Sequence, residues 1–249
     1  MRTPRIYQAT PLKTGETINL EAQAATHVAR VLRLKQDDQI IVFNGQGGEY
    51  AGVIAAIDKR FVQVTLGEYQ QNQMESPLHI GLVRGVSRSE RMDYTLQKSV
   101  ELGVSEIYPV TTQHISVHLD AARAHKKRAH WQGVVNSACE QAGRDRVPEV
   151  HELVSLQSCV DALSAVDAQL KLVLDHRANT TLNQVSVTNN SRIVMVVGPE
   201  GGLSNDERDW LIENGFTAVS MGPRVLRTET AALAAIAVMQ SLWGDFSRA

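Results

Sequence analysis

The chain has 249 residues, 27 acidic against 25 basic, for a formal net charge of -2, and 43% of its residues are hydrophobic. That balance excludes a protein that coats nucleic acid through bulk electrostatics, while allowing a local basic face. The length favours two domains with a sizeable core, and no apolar stretch approaches the roughly 18 residues of a membrane span.

The chain opens Met1-Arg2-Thr3-Pro4-Arg5-Ile6-Tyr7, without the apolar core of a secretory signal, so a cytoplasmic protein is expected. From Met1 to Lys35, six basic residues (Arg2, Arg5, Lys13, Arg30, Arg33, Lys35) stand against Glu16 and Glu21. Such a cluster reads either as a solvated surface or as a phosphate-binding face. A helix is expected from Glu21 to Leu34, with His27, Arg30 and Arg33 spaced by three along one face. Strand-length runs follow: Gln39–Phe43 before Asn44-Gly45, Glu49–Ile57 before Asp58-Lys59, and Phe61–Leu66 before Gly67. Together they predict a small β-barrel-like module. The polar stretch Tyr69–Pro77 reads as a linker, which divides the chain into residues 1–72 and 73–249.

Beyond Pro77 strands alternate with helices, the grammar of a parallel sheet covered by helices. Strands are expected at Leu78–Val83, Glu106–Val110 and Leu170–Leu174, with helices at Ser89–Leu102, Ala121–Gly143 and Leu156–Ala165. Cys139 and Cys159 lack metal-ligand spacing and read as buried thiols, and no metal site is expected. Ile193–Val197 is a continuous β-branched run, suited to a strand buried on both faces. Ser204 with Glu207 forms a capping box, and Asn214-Gly215 supplies the stop of that helix. Thr217–Met221 is the last strand, followed by an alanine-rich helix from Thr230.

Two glycine-proline loops each leave a strand and open a helix: Gly198-Pro199-Glu200-Gly201-Gly202, and Gly222-Pro223-Arg224-Val225-Leu226-Arg227. Loops at the carboxyl ends of neighbouring parallel strands are where open α/β sheets bind ligands. Neither contains the lysine and Ser/Thr of a phosphate-cradling loop, no G-x-G-x-x-G follows the first strand of either domain, and Glu200 would repel a polyphosphate. Exposed backbone at Gly198, Gly201, Gly202 and Gly222 suits a purine edge and a ribose, and a nearby acid tolerates a cation. S-adenosylmethionine combines these features. A tight turn with no ligand remains the other reading of an isolated glycine-rich loop.

The chain resembles the RsmE family, SPOUT-class methyltransferases acting on N3 of a uridine in 16S ribosomal RNA. The resemblance spans nearly the whole chain and is carried by Lys98–Val104 (KSVELGV), Glu140-Gln141 with Arg144 and Pro148 (EQAGRDRVP), Val197–Leu203 (VGPEGGL) and Met221–Ala231 (MGPRVLRTETA). It implies a C-terminal SPOUT α/β domain with a deep trefoil knot, residues 73–249, preceded by a small PUA-like β-barrel domain that binds RNA, residues 1–72. Chains rarely thread through their own loops, so the knot is implied by resemblance alone.

The resemblance further implies a cofactor, S-adenosylmethionine, held among Leu174, Gly198, Glu200, Gly201, Ser220, Met221, Gly222, Arg224, Leu226 and Arg227. The reaction needs the uridine anion stabilised as it develops, a role that falls to Arg227. Glu229 would orient Arg227 or accept the proton, and Glu200 would position the donor; a structural ion pair is the alternative for this set. Arg88, Lys98 and Arg144 would face the entering RNA, with Arg2, Arg5, Arg30 and Arg33 on more distant phosphates. Family members form homodimers, and Thr230–Leu242 is a candidate interface, or else a helix buried within one subunit. The expected partner is 16S rRNA, within the small subunit or a late precursor. Methylation of a ribose 2'-oxygen or a tRNA base, and a non-catalytic assembly role, stay open as alternatives. One departure stands out: Thr112-Gln113-His114-Ile115-Ser116 occupies a position where relatives commonly carry an arginine, so His114 replaces a permanent cation.

Overall fold

The structure, a computed structural model, describes residues 3–58, 61–114, 120–164, 170–187 and 192–246. The chain separates into two units, Met1–Glu75 with Asn136–Val147, and Ser76–Val135 with Pro148–Ala249.

The first unit is built on strands β1 (Arg5–Tyr7), β2 (Thr17–Asn19), β3 (Gln39–Phe43), β4 (Glu49–Ile57) and β5 (Val62–Gln70), in the order β1-β3-β4-β5-β2. Alternation along β3 and β5 turns Ile40, Val42, Val62, Val64 and Leu66 into one core with Ile6, Val28 and Ile54. β5 runs on to Gln70, past the expected end at Leu66, and Tyr69 meets Tyr50 edge-on with ring centroids 5.3 Å apart. The linker expected from Tyr69 therefore begins as paired strand.

The expected helix Glu21–Leu34 breaks in two. Helix α1 covers only Ala22–Thr26, and His27–Val31 winds as a wider π-turn in which the Leu32 amide donates to the His27 carbonyl. Arg33 then takes a left-handed conformation, φ 55°, which ends the helix. A π-turn changes the angular spacing, so Arg30 and Arg33 do not continue a single α-helical stripe with His27. Residues 136–147 join this unit through polar bonds: Glu140 accepts the Tyr7 amide at 2.9 Å, and Asp145 accepts the Gly48 amide at 2.7 Å.

The second unit contains β6 (His79–Gly85), α2 (Ser89–Glu101), β7 (Glu106–Thr111), α3 (Ala121–Ala142, its last turns counted with the first unit), β8 (Glu149–Val150), β9 (Val154–Ser155) and α4 (Leu156–Ser164). It continues with β10 (Leu170–Leu174), β11 (Arg192–Val197), α5 (Asn205–Glu213), β12 (Thr217–Val219) and α6 (Thr228–Leu242). The strands form a sheet in the order β12-β10-β11-β6-β7-β8, with β9 also on β7, and every pair is parallel. β11 is buried from Ile193 to Val197, as its unbroken apolar run requires of a strand covered on both faces. Both cysteines are buried, and burial pushes each thiol up to about 12, so they are protonated and inert at neutral pH. Among the described residues, no helix is long and apolar enough to cross a membrane.

Candidate active site

β10, β11 and β12 end side by side, and the loops leaving them enclose a cavity of about 420 Å³ within the second unit. Its size falls in the range of small-molecule sites. Of the ten residues expected to hold a cofactor, eight line it: Leu174, Gly198, Glu200, Gly201, Met221, Arg224, Leu226 and Arg227. Ser220 and Gly222 do not. The Ser220 amide is spent on the Thr180 carbonyl at 2.8 Å, and Gly222 shapes the turn with φ 87°.

The first loop is held in place by local chemistry at both ends. On one side Ser204 caps α5: its side chain accepts the Glu207 amide at 3.1 Å, while Glu207 accepts the Ser204 amide at 2.9 Å. The other oxygen of Glu207 accepts the Gln113 amide at 2.7 Å, which ties the cap to the end of β7. A Cβ on Gly201 would lie 2.9 Å from the His114 Cβ, so this contact requires glycine. His114 thus packs against the loop, while Ile115 and Ser116 lie outside the described residues.

Glu200 accepts the Arg88 amide at 2.9 Å, and Arg91 stands 3.8 Å from the same oxygen. Burial alone would push its pKa up, but the Arg88 amide and the Arg91 charge outweigh burial and hold it below the usual glutamate range. Among the described residues its second oxygen is buried without a hydrogen bond. Asp175, at the end of β10, is a lining residue that sequence reasoning left aside. It accepts the backbone and side-chain N–H of Arg177, each at 3.0 Å, and pairs with Arg208. These bonds overcome burial and keep it ionised below the usual aspartate range.

Arg227 is the N-cap of α6, in an extended conformation and with no side-chain cap bond. α6 begins two residues before the expected Thr230, which sets Arg227 at the helix mouth with its side chain exposed. Glu229 does not line the cavity, and no bond between it and Arg227 is present among the described residues. Its charge acts through space on Arg84, raising the pKa that burial lowers.

The expected RNA-facing residues divide sharply. Arg88, Arg30 and Arg33 are exposed. Lys98 is half-engaged, pairing with Glu101 at 2.7 Å. Arg5 and Arg144 are buried in the first unit: Arg5 pairs with Glu49, Arg144 with Glu75 at 2.6 Å, and Arg5 also donates to the Arg144 carbonyl. A guanidinium buried in such pairs does not offer itself to a phosphate, so these two serve the fold. Arg2 lies outside the described residues.

The lining mixes apolar walls with charged groups: Arg91 stands beside Glu200, and Arg177 and Arg208 pair with Asp175, while Arg224 and Arg227 also line the cavity. The RNA methyltransferase domain model matches residues 74–240, and the RNA methyltransferase PUA domain model matches residues 20–67. Ribosomal RNA small subunit methyltransferase E of Buchnera aphidicola subsp. Schizaphis graminum is 33% identical over 247 residues, covering 99% of each chain. The Bacillus subtilis protein of the same name is 28% identical over 236 residues, covering 92% of this chain and 91% of its own. Among solved structures, ribosomal RNA small subunit methyltransferase E from Neisseria gonorrhoeae bound to S-adenosyl methionine superposes with a TM-score of 0.89 at 38% identity, covering 98% of this chain and 100% of its own.

Proposed function

The chain belongs to the RsmE-type RNA methyltransferase family, and on that premise we propose that it methylates N3 of a uridine in 16S ribosomal RNA. The observation that carries this is the convergence of both glycine-proline loops and the end of β10 on one cavity with Arg227 at its mouth. When bound, S-adenosylmethionine supplies an electrophilic methyl group on a sulfonium cation. Leu174, Met221 and Leu226 provide apolar walls, and Glu200, ionised and with one oxygen free of hydrogen bonds among the described residues, supplies a negative charge for the donor. Arg227 adds its charge to the positive end of the α6 dipole. Two positive sources beside a uridine N3 lower its pKa, so its proton is given up to water more readily and more of the nucleophilic N3 anion is present to take the methyl group, leaving the donor as a neutral thioether.

RNA reaches the second unit past Arg88 and Lys98, while Arg30 and Arg33 of the first unit hold phosphates. Phosphate contacts of this kind position the substrate without selecting the base. The domain assignment follows the same premise, with residues 1–72 binding RNA and 73–249 carrying catalysis. A trefoil knot formed by the strands ending near Leu174, Val197 and Met221 belongs to this reading, supported by the return of β12 to pair with β10 rather than β11. So does a homodimer working in the cytoplasm; the dimer is supported by the exposed apolar side chains of Leu242, the last residue of α6, and of Phe246 beyond it.

Incubation with labelled S-adenosylmethionine and small ribosomal subunits lacking the modification, followed by nucleoside digestion, tests the proposal. The expected product is 3-methyluridine. Label in a ribose or in another base rejects the assigned target, and absence of label with confirmed donor binding and competent particles favours a binding role.

A further inference from the structure

β6 opens on His79, runs apolar from Ile80 to Val83 and ends in Arg84 and Gly85, and Arg84 is 0% exposed. A buried charge is costly unless it is paired and hydrogen-bonded. Arg84 donates from Nη1 to the Gly198 carbonyl and, at 2.8 Å, to the Thr228 hydroxyl, and from Nη2 to the Ser87 hydroxyl at 2.7 Å. The Thr228 hydroxyl itself donates to the Gly198 carbonyl at 2.6 Å, closing a triangle. Gly198 opens the first glycine-proline loop, and Thr228 is the first residue after the second. One guanidinium therefore touches both arms of the cavity. A carbonyl oxygen has two acceptor sites, and Arg84 with Thr228 fills both, so Gly198 presents its amide edge to a ligand rather than its oxygen.

The Arg84 Nε is buried without a hydrogen bond among the described residues, while its two Nη groups are engaged. Burial lowers the Arg84 pKa to about 10, with Glu200 and Glu229 opposing that fall, so it stays charged at neutral pH. Neither Glu200 nor Glu229 hydrogen-bonds Arg84 among the described residues, so both act on the guanidinium through space. Gly85 completes the seat: a Cβ there would lie 2.7 Å from the Pro199 nitrogen, so no side chain fits between β6 and the loop.

We propose that Arg84 is a positioning residue that locks the start of the first glycine-proline loop to the first turn of α6, setting the width of the cofactor cavity before the ligand arrives. It touches no ligand and acts by preorganising the groups that do. The cofactor part of this inference rests on the methyltransferase reading; the structural part does not.

Arg84→Met, Arg84→Lys, Thr228→Val and the Arg84→Met/Thr228→Val double variant test it through two readouts. The first is amide hydrogen exchange across 198–203 and 222–228, and the second is calorimetric titration with S-adenosylmethionine. Arg84→Met is expected to speed exchange in both loops and to weaken cofactor binding at least tenfold, with RNA affinity unchanged. Arg84→Lys keeps the charge without the fork and recovers part of the loss. Because both groups share one carbonyl, the double variant binds no more weakly than Arg84→Met alone. Unchanged loop exchange, a change confined to one loop, or additive losses would overturn the proposal. Should Arg84→Met not fold, Arg84→Lys decides: faster exchange in both loops upholds it and unchanged exchange rejects it. A parent protein that binds no S-adenosylmethionine rejects the cofactor reading, while the exchange data still judge Arg84.

Discussion

Exposure together with partner separates the arginines of the described residues into different jobs. Arg5 and Arg144 are buried in ion pairs of the first unit, Arg84 is buried beneath the loops, Arg177 and Arg208 are spent on Asp175, and Arg227 is exposed at the cavity mouth. A guanidinium that makes no cap bond and sits at a helix N-terminus destabilises its own helix slightly, since the dipole there favours anions. That arrangement is useful only where negative charge develops. Arg227→Ala is therefore expected to lower kcat by about 10²-fold or more, the scale of removing one oxyanion-stabilising donor, while donor affinity changes little. Arg227→Lys should restore part of the rate, and near-normal turnover in the alanine variant would remove Arg227 from the mechanism. The basic character of these residues was legible in the sequence; which of them reach solvent was not, because burial is decided by what packs on top.

At the scale of elements, the carboxyl end of β10 and the amino-terminal half of α5 are joined through Asp175, which accepts from Arg177 beside it and pairs with Arg208 on α5. Hydrogen bonds to an ionised carboxylate are worth about 1.5–3 kcal/mol, so Asp175→Asn should destabilise the second unit by an amount in that range at neutral pH. Asp175 has its pKa lowered by folding, so its contribution is present above the unfolded value and disappears as pH falls through the folded value. Thermal unfolding of parent and Asp175→Asn protein should accordingly differ by a constant amount from neutrality down to about pH 4, and the gap should close only as pH falls further, through the lowered folded value. A difference independent of pH would show that packing, not the charge, is what Asp175 contributes. α5 also shows how much local chemistry predicts: the Ser204/Glu207 box and the Asn214-Gly215 stop are short-range signals, and the helix lies between them. The break of the expected Glu21–Leu34 helix had no such signal, because the π-turn satisfies backbone groups within a packed core.

For the molecule as a whole, a net charge of -2 means that RNA binding must come from placed cations rather than from an overall field. Removing one cation that neutralises a phosphate should reduce the slope of log affinity against log salt by about 0.7–0.9. Arg30→Ala combined with Arg33→Ala is expected to weaken RNA binding and flatten that slope by up to about twice this amount, with S-adenosylmethionine affinity unchanged. An unchanged slope removes the first unit's exposed arginines from the RNA surface. Apolar periodicity, turn residues and caps, all acting over a few residues, determined from the sequence alone that a β-rich module precedes a parallel α/β sheet and that two glycine-proline loops leave its strands. Tertiary structure alone decided that β12 returns to β10, that Asn136–Val147 joins the first unit, and that Arg84 reaches Gly198 across 114 residues of chain. The physical reason is one of range. Backbone propensity and capping are settled between neighbours, whereas a buried charge takes whatever acceptors the packed fold brings to it.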